Sequence, residues 1–246
     1  MSSIRKLVMM LGVLLASSSV LMSCSDDDDG MMGAVPVNSV VATSSTVDVV
    51  WSIVPNDNCA GYIVSLLQGS RDGAVIETKE FDNRTCKGQF TGLQPNTEYC
   101  IKTQAKPGAG FNSADVYYRE FTTSPIIDVN IVSYDAYNVN GYDSDGNPTV
   151  TKYYTINMDW PAIAESNCGG YYVAVFNCKK ADWKANAAKT GQVTISKDDH
   201  GVIATSASIK GLEPGKTYTI GAYARPNSMC DYTQGDWSLT EITTPQ

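Results

Sequence analysis

The side chains that could do chemistry are few, and their spacing excludes most reactions. The chain has one histidine, His200, set in the polar turn Lys197-Asp198-Asp199-His200-Gly201. A serine nucleophile would need that imidazole as its base, and no nucleophile elbow accompanies it. No Cys-x-x-Cys, no His-Glu-x-x-His and no phosphate-cradling loop occurs. The oxygens of Asp143-Ser144-Asp145-Gly146-Asn147 lie near calcium-loop spacing. They lack a third ligand before the glycine and a distal glutamate, so the segment reads as a tight turn on Asp145-Gly146. The sequence therefore predicts no catalytic residue, no metal and no cofactor, and reads as a chain that is not an enzyme. What remains is cysteine chemistry, in seven residues.

Cys24 stands apart from the other six. Arg5 and Lys6 precede an apolar stretch, Leu7–Met22, which includes Ser17, Ser18 and Ser19. A membrane span needs about 20 apolar residues. This shorter stretch, with a charged start and a small-residue exit, predicts a cleaved signal peptide over 1–23. Leu21-Met22-Ser23-Cys24 resembles the bacterial lipobox, with Met22 a mild departure from the small residue preferred there. The resemblance implies a diacylglyceryl thioether on Cys24 and an acylated amine. Two or more acyl chains anchor a protein stably, at about 0.8 kcal/mol per buried methylene. Ser25, Asp26, Asp27, Asp28 and Asp29 follow at once. As a like-charge run they predict an extended, solvated tether over 24–34. They also resemble the acidic export signal of surface lipoproteins in Gram-negative glycan-utilising gut bacteria. That resemblance implies a lipid-anchored protein of the outer membrane that faces the cell exterior.

Removing residues 1–23 leaves 223 residues, enough for two domains of about 100 residues. It also leaves 16 cations against 26 anions, a net charge of −10. Such a surface repels nucleic acid, so the expected partners are the membrane, through the anchor, and a protein or glycan ligand.

The chain is a tandem repeat. Trp51 to Tyr62 matches Trp160 to Tyr171 at an offset of 109, sharing Trp, Asn58/Asn167, Cys59/Cys168 and Gly-Tyr. Gly92-Leu93-x-Pro95 with Tyr99, Ile101, Ala105 and Pro107 matches Gly211-Leu212-x-Pro214 with Tyr218, Ile220, Ala224 and Pro226 at 119. Glu120-Phe-Thr-Thr123 matches Glu241-Ile-Thr-Thr244 at 121. The growing offset predicts an insertion of about ten residues in the second copy, over Lys179–Gly191. Its Ala181–Lys189 stretch is rich in helix formers and predicts one or two helical turns over a sheet edge. Elsewhere apolar residues alternate, as in Val47/Val49/Trp51 and Tyr171/Val173/Val175, which predicts strands with one buried face. A first strand of the second copy is expected around Ile127–Tyr137.

A Trp in the second strand, a Gly-Tyr opening the third and Leu-x-Pro-x-x-x-Tyr before the sixth resemble a fibronectin type III domain. The resemblance implies an all-β chain of two tandem immunoglobulin-like β-sandwiches, over 35–124 and 125–246, each with seven strands in two sheets. It implies core positions for Trp51 and Trp160 and tyrosine corners at Tyr99 and Tyr218. On that topology Cys59 lies near Cys86 and Cys168 near Cys230, so these two pairs are candidate disulfides in an exported protein. Cys100 and Cys178 would point outward and stay free. The alternative is six thiols.

Tyrosines and tryptophans exceed what two such cores need. Alternation sends Tyr172, Phe176 and Tyr223 outward on neighbouring strands, with Trp183 on the insertion and Trp237 before the last strand beside them. These five form a candidate binding platform, unless the insertion packs on the rings and buries them. The expected role is that of a non-enzymatic adhesion or interaction module. The alternatives are a glycan-binding accessory of a polysaccharide-uptake system and a structural subunit of a surface assembly.

Overall fold

The computed structural model describes residues 30–54 and 59–246. The signal segment, Cys24, the Ser25–Asp29 run and Asn58 lie outside the described residues. Strands run in chain order as β1 Met31–Met32, β2 Val37–Ala42, β3 Thr46–Trp51, β4 Cys59–Gln68, β5 Val75–Phe81, β6 Lys87–Thr91, β7 Glu98–Pro107, β8 Ser113–Ala114 and β9 Val116–Thr122. The second copy continues with β10 Asn130–Tyr142, β11 Pro148–Asp159, β12 Gly170–Phe176, β13 Lys189–Ile195, β14 Ser206–Leu212, β15 Thr217–Arg225 and β16 Ser238–Thr243.

Each copy folds into a sheet of three strands against a sheet of four. The orders are β2-β3-β6 over β5-β4-β7-β9, and β10-β11-β14 over β13-β12-β15-β16. This seven-strand arrangement is the fibronectin type III-like sandwich, present twice, as expected. The inner faces close on two separate cores, one around Trp51, Tyr62, Phe90 and Ile101, the other around Trp160, Tyr171, Ile156 and Ile220.

The repeated residues each answer a backbone demand. Gly61 and Gly170 sit at φ 145° and 146°, and a Cβ there would fall 2.3 and 2.1 Å from the carbonyl oxygens of Phe81 and Ile195 on the adjoining strand. Only glycine allows that approach. The tyrosine that follows accepts a hydrogen bond 2.9 Å long from an upstream backbone N–H, Val54 to Tyr62 and Ile163 to Tyr171. At the tyrosine corners Gln94 N–H donates to Tyr99 Oη and Glu213 N–H to Tyr218 Oη, both at 2.9 Å. Removing one hydroxyl strands a part-buried N–H, so Tyr218→Phe should cost about 1–3 kcal/mol, seen as a lower urea midpoint at unchanged slope.

The first strand of the second copy departs from expectation. It starts at Asn130 and continues through Tyr142, pairing with β11 from Asn130↔Asp159 to Tyr142↔Pro148. Beyond Tyr137 the chain continues into a long hairpin. Its tip is the predicted turn: Asp143 Oδ1 accepts the N–H groups of Asp145 and Asn147 at 3.0 and 2.8 Å. The Asn147 side-chain amide, with these N–H groups, holds the Asp143 carboxyl below the usual carboxylate range.

All six described cysteines are free thiols. Cys59 and Cys168 turn their Sγ into their own strands, donating to the carbonyls of Gly61 and Gly170 at 3.3 and 3.1 Å, so neither candidate bridge is closed. Cys59 and Cys86 both lie within electrostatic reach of the Tyr62 hydroxyl, and Cys168 and Cys230 of the Tyr232 hydroxyl. Cys100 faces outward by register yet is fully buried. It is a small side chain flanked across the sheet by Leu67 and Glu120. Burial and the Glu120 charge push its thiol up.

A polar joint connects the sandwiches. Ala42 N–H donates to the Asp231 carbonyl at 2.8 Å, and Ser44 N–H to Asp236 Oδ2 at 2.6 Å. Arg119 Nη2 pairs with Asp231 Oδ1 at 3.1 Å. Buried Asn167 donates from Nδ2 to Asn96 Oδ1 and to the Thr123 carbonyl, both at 2.9 Å. Tyr232, also buried, donates from Oη to the Asn167 carbonyl at 2.7 Å. On the first sandwich these contacts come from the β2–β3 turn, the turn before β7, strand β9 and the chain just after it. Strand β1 pairs in parallel with β8, which lies between the end of β7 and the start of β9. The chain therefore enters the first sandwich at the end opposite the joint.

Candidate contact surface on the second sandwich

Strands β12 and β15 pair so that Tyr172 faces Tyr223, Ala174 faces Gly221 and Phe176 faces Thr219 on the outer side of their sheet. The two tyrosines stack, with ring centroids 5.1 Å apart and planes 21° apart. Beside them the row of Ala174 and Gly221 leaves a trough. Trp237, from the segment entering β16, fills it. A Cβ on Gly221 would meet Phe176 Cε2 at 2.8 Å and Trp237 Cζ3 at 2.9 Å.

Trp237 is the hub. Its ring lies 4.6 Å from Tyr223, 5.7 Å from Tyr172, 5.8 Å from Phe176 and 5.3 Å from Trp183. Most of these meetings are edge-to-face, the geometry that ring quadrupoles favour. Trp183 also meets Phe176 at 5.8 Å. All five residues singled out in the sequence thus come together in one cluster.

The insertion puts Trp183 there. Segment Cys178–Trp183 crosses the end of the sheet rather than covering an edge. Thr219 Oγ1 donates to the Cys178 carbonyl at 2.9 Å, and Lys180 N–H to Glu241 Oε2 on β16 at 2.7 Å. Its helix is a single 3-10 turn, Lys180–Asp182, the shorter end of the one or two helical turns expected. The buried Trp183 Nε1 has no partner.

The cluster is not a flat open platform. Phe176 is fully buried beneath Trp183 and Trp237, while Tyr172, Tyr223, Trp183 and Trp237 are half-buried. Packing by the insertion therefore does account for Phe176. Each tyrosine covers one face of the other, and the exposed rim is polar. Tyr172 Oη donates to Gln192 Oε1, and Arg225 Nη1 donates to Ser196 Oγ at 2.8 Å. Burial, then the neighbouring Tyr172 phenol, pushes the Tyr223 hydroxyl above its ordinary value, against the Arg225 charge. The Tyr223 hydroxyl is therefore protonated at pH 7 and able to donate.

The first sandwich supplies a control. Its matching positions pair Ile63 with Gln104, Ser65 with Lys102 and Leu67 with Cys100. The same sheet forms there without an outer aromatic residue in these rows. The cluster is thus extra to the fold. His200 is exposed in its turn, its N–H donating to Asp198 Oδ1 at 2.9 Å. Among the described residues no group of three or more His, Cys, Asp or Glu is arranged to hold a metal.

No family model and no curated protein matches the chain. The solved structures similar to it include two at 14% identity. They are the chicken CNTN1 FN1-FN3 domains (TM-score 0.39, covering 87% of this chain and 68% of that one) and a two fibronectin type III domain segment from chicken tenascin (TM-score 0.34, covering 85% and 97%). The assignment of two fibronectin type III-like sandwiches rests on the strand order above.

Proposed function

We propose that the protein is a non-enzymatic, lipid-anchored surface module that binds a protein partner through the aromatic face of its second sandwich. The observation that carries this reading is the contrast between the copies: one fold, with an aromatic cluster and a dedicated insertion in only one of them. Tyr and Trp are enriched at protein contacts because they bury large area at low entropic cost while keeping a polar tip. The chain enters at the end of the first sandwich remote from the joint, which supports holding the second sandwich away from the anchor. Binding is expected to fall when Trp237 or the tyrosine pair is removed.

A glycan ligand is the second reading, favoured by the Tyr172 and Tyr223 hydroxyls with Gln192 and Arg225 at the rim. Sugars stack on open ring faces, and here much of that face is taken up by other rings, which is why a protein is preferred. A glycan array and a panel of purified surface proteins, both probed with the full mature chain, separate the two.

Anchoring has its own test. Mass spectrometry of the native protein should find acyl chains on Cys24, and Cys24→Ala should move the protein from the membrane to the soluble fraction. Unmodified Cys24, with the variant still on membranes, would contradict it. External protease on intact cells should degrade the wild type, as outward display requires.

A further inference from the structure

The loops that grip the first sandwich are also those that carry Cys168 and Cys230. Asn167, donating to Asn96 and Thr123, immediately precedes Cys168. Asp231, which receives Ala42 and Arg119, immediately follows Cys230. The two loops touch. Gly169 N–H donates to the Arg225 carbonyl at 2.7 Å, and a Cβ on Gly169 would fall 2.7 Å from the Pro226 carbonyl oxygen and 3.0 Å from Asn227 Cβ. Asn227 bridges the cysteines. Its Nδ2 reaches the Cys168 carbonyl at 3.3 Å, while its N–H and Oδ1 each lie 3.4 Å from Cys230 Sγ.

We infer that Cys168 and Cys230 are a dithiol/disulfide site whose oxidation staples the socket holding the first sandwich and stiffens the joint. The co-reactant is a disulfide, small or protein-borne. The half-buried Cys230 thiolate attacks one of its sulfurs, giving a mixed disulfide and one released thiol. Cys168 then swings from the Gly170 carbonyl and attacks Cys230 Sγ, releasing the second thiol. One disulfide is consumed and one formed, and the two cysteine protons go to the two released thiols. Burial pushes the Cys168 thiol up. The bridge would join residues 62 positions apart, and with them both halves of the grip.

The amides of Ala42 and Ser44 report on the joint, since each donates across it to the loop after β15. The full mature chain is treated with oxidised or reduced glutathione and digested under non-reducing conditions. Hydrogen exchange is then followed by NMR. The expected result is a linked Cys168–Cys230 peptide in the oxidised sample and exchange at Ala42 and Ser44 slowed by about tenfold or more, as local opening is suppressed. The slowing should vanish in Cys230→Ser and persist in Cys59→Ser, which removes any contribution from the other pair. Failure to form the linked peptide overturns the site, and a linked peptide with unchanged exchange overturns its action on the joint. The comparison of oxidised with reduced wild type needs no variant to fold.

Discussion

Replacing Trp51 by alanine should unfold the first sandwich at temperatures where the wild type is stable. The indole is almost fully buried, 4.9 Å from the Phe81 ring and 6.0 Å from Tyr62. A Trp-to-Ala change in a core costs about 3–5 kcal/mol, against a domain stability of about 5–15 kcal/mol. In a domain of this size that corresponds to a drop in melting temperature on the order of 20 °C. Calorimetry should show the second sandwich melting near its original temperature, because its core around Trp160 is separate. Joint lowering of both transitions by the full amount would mean that the polar joint couples the sandwiches more tightly than its few hydrogen bonds warrant.

Trp237→Ala should do the reverse, sparing the fold and removing the contact. Trp237 packs against the four other aromatic rings of the cluster, and none of the five belongs to the inner core of the second sandwich. Without it Trp183 and the tyrosine pair lose their common support, and the outer face collapses onto Ala174 and Gly221. A centrally placed Trp at an interface contributes about 2–4 kcal/mol, so affinity for the partner should fall at least about thirtyfold. Gly221→Val tests the same point without deleting a ring. Its added carbons would crowd the Phe176 ring edge and the Trp237 six-membered ring, and the less buried Trp237 is the ring that gives way. Both variants should keep their two-sandwich melting profile and an unshifted near-native far-ultraviolet spectrum.

The fold was legible because its signature residues meet backbone requirements rather than preferences. Gly61 and Gly170 leave room for a neighbouring carbonyl, and Tyr99 and Tyr218 satisfy a turn N–H. Tyr172, Phe176 and Tyr223 were legible by alternation, since β12 and β15 are neighbours with matched register, and Trp183 and Trp237 by their places on the insertion and before the last strand. Their degree of exposure was not. Alternation says which face a ring takes, not whether a later segment lies over it, and Trp183 and Trp237 lie over Phe176. The insertion makes no more than a single 3-10 turn because a run so short cannot offset the cost of nucleating an α-helix. Its path is set instead by Cys178, Lys180 and Trp183 gripping the sheet. The β10–β11 hairpin was obscured by polar residues over Asn138–Thr149, which pair through backbone and carry no apolar alternation. The joint was invisible for a different reason. Ser44 and Asp236 are 192 residues apart, and nothing local distinguishes them from ordinary loop residues.

The most direct test of the central claim compares the full mature wild type with Trp237→Ala for binding to intact producing cells, to the surface-protein panel and to the glycan array. The wild type should bind at least one of the three, with the variant reduced at least about thirtyfold on that target and equally stable to heat. Equal binding by the two proteins, or a variant that loses binding only because it has unfolded, would contradict a contact made by the aromatic face.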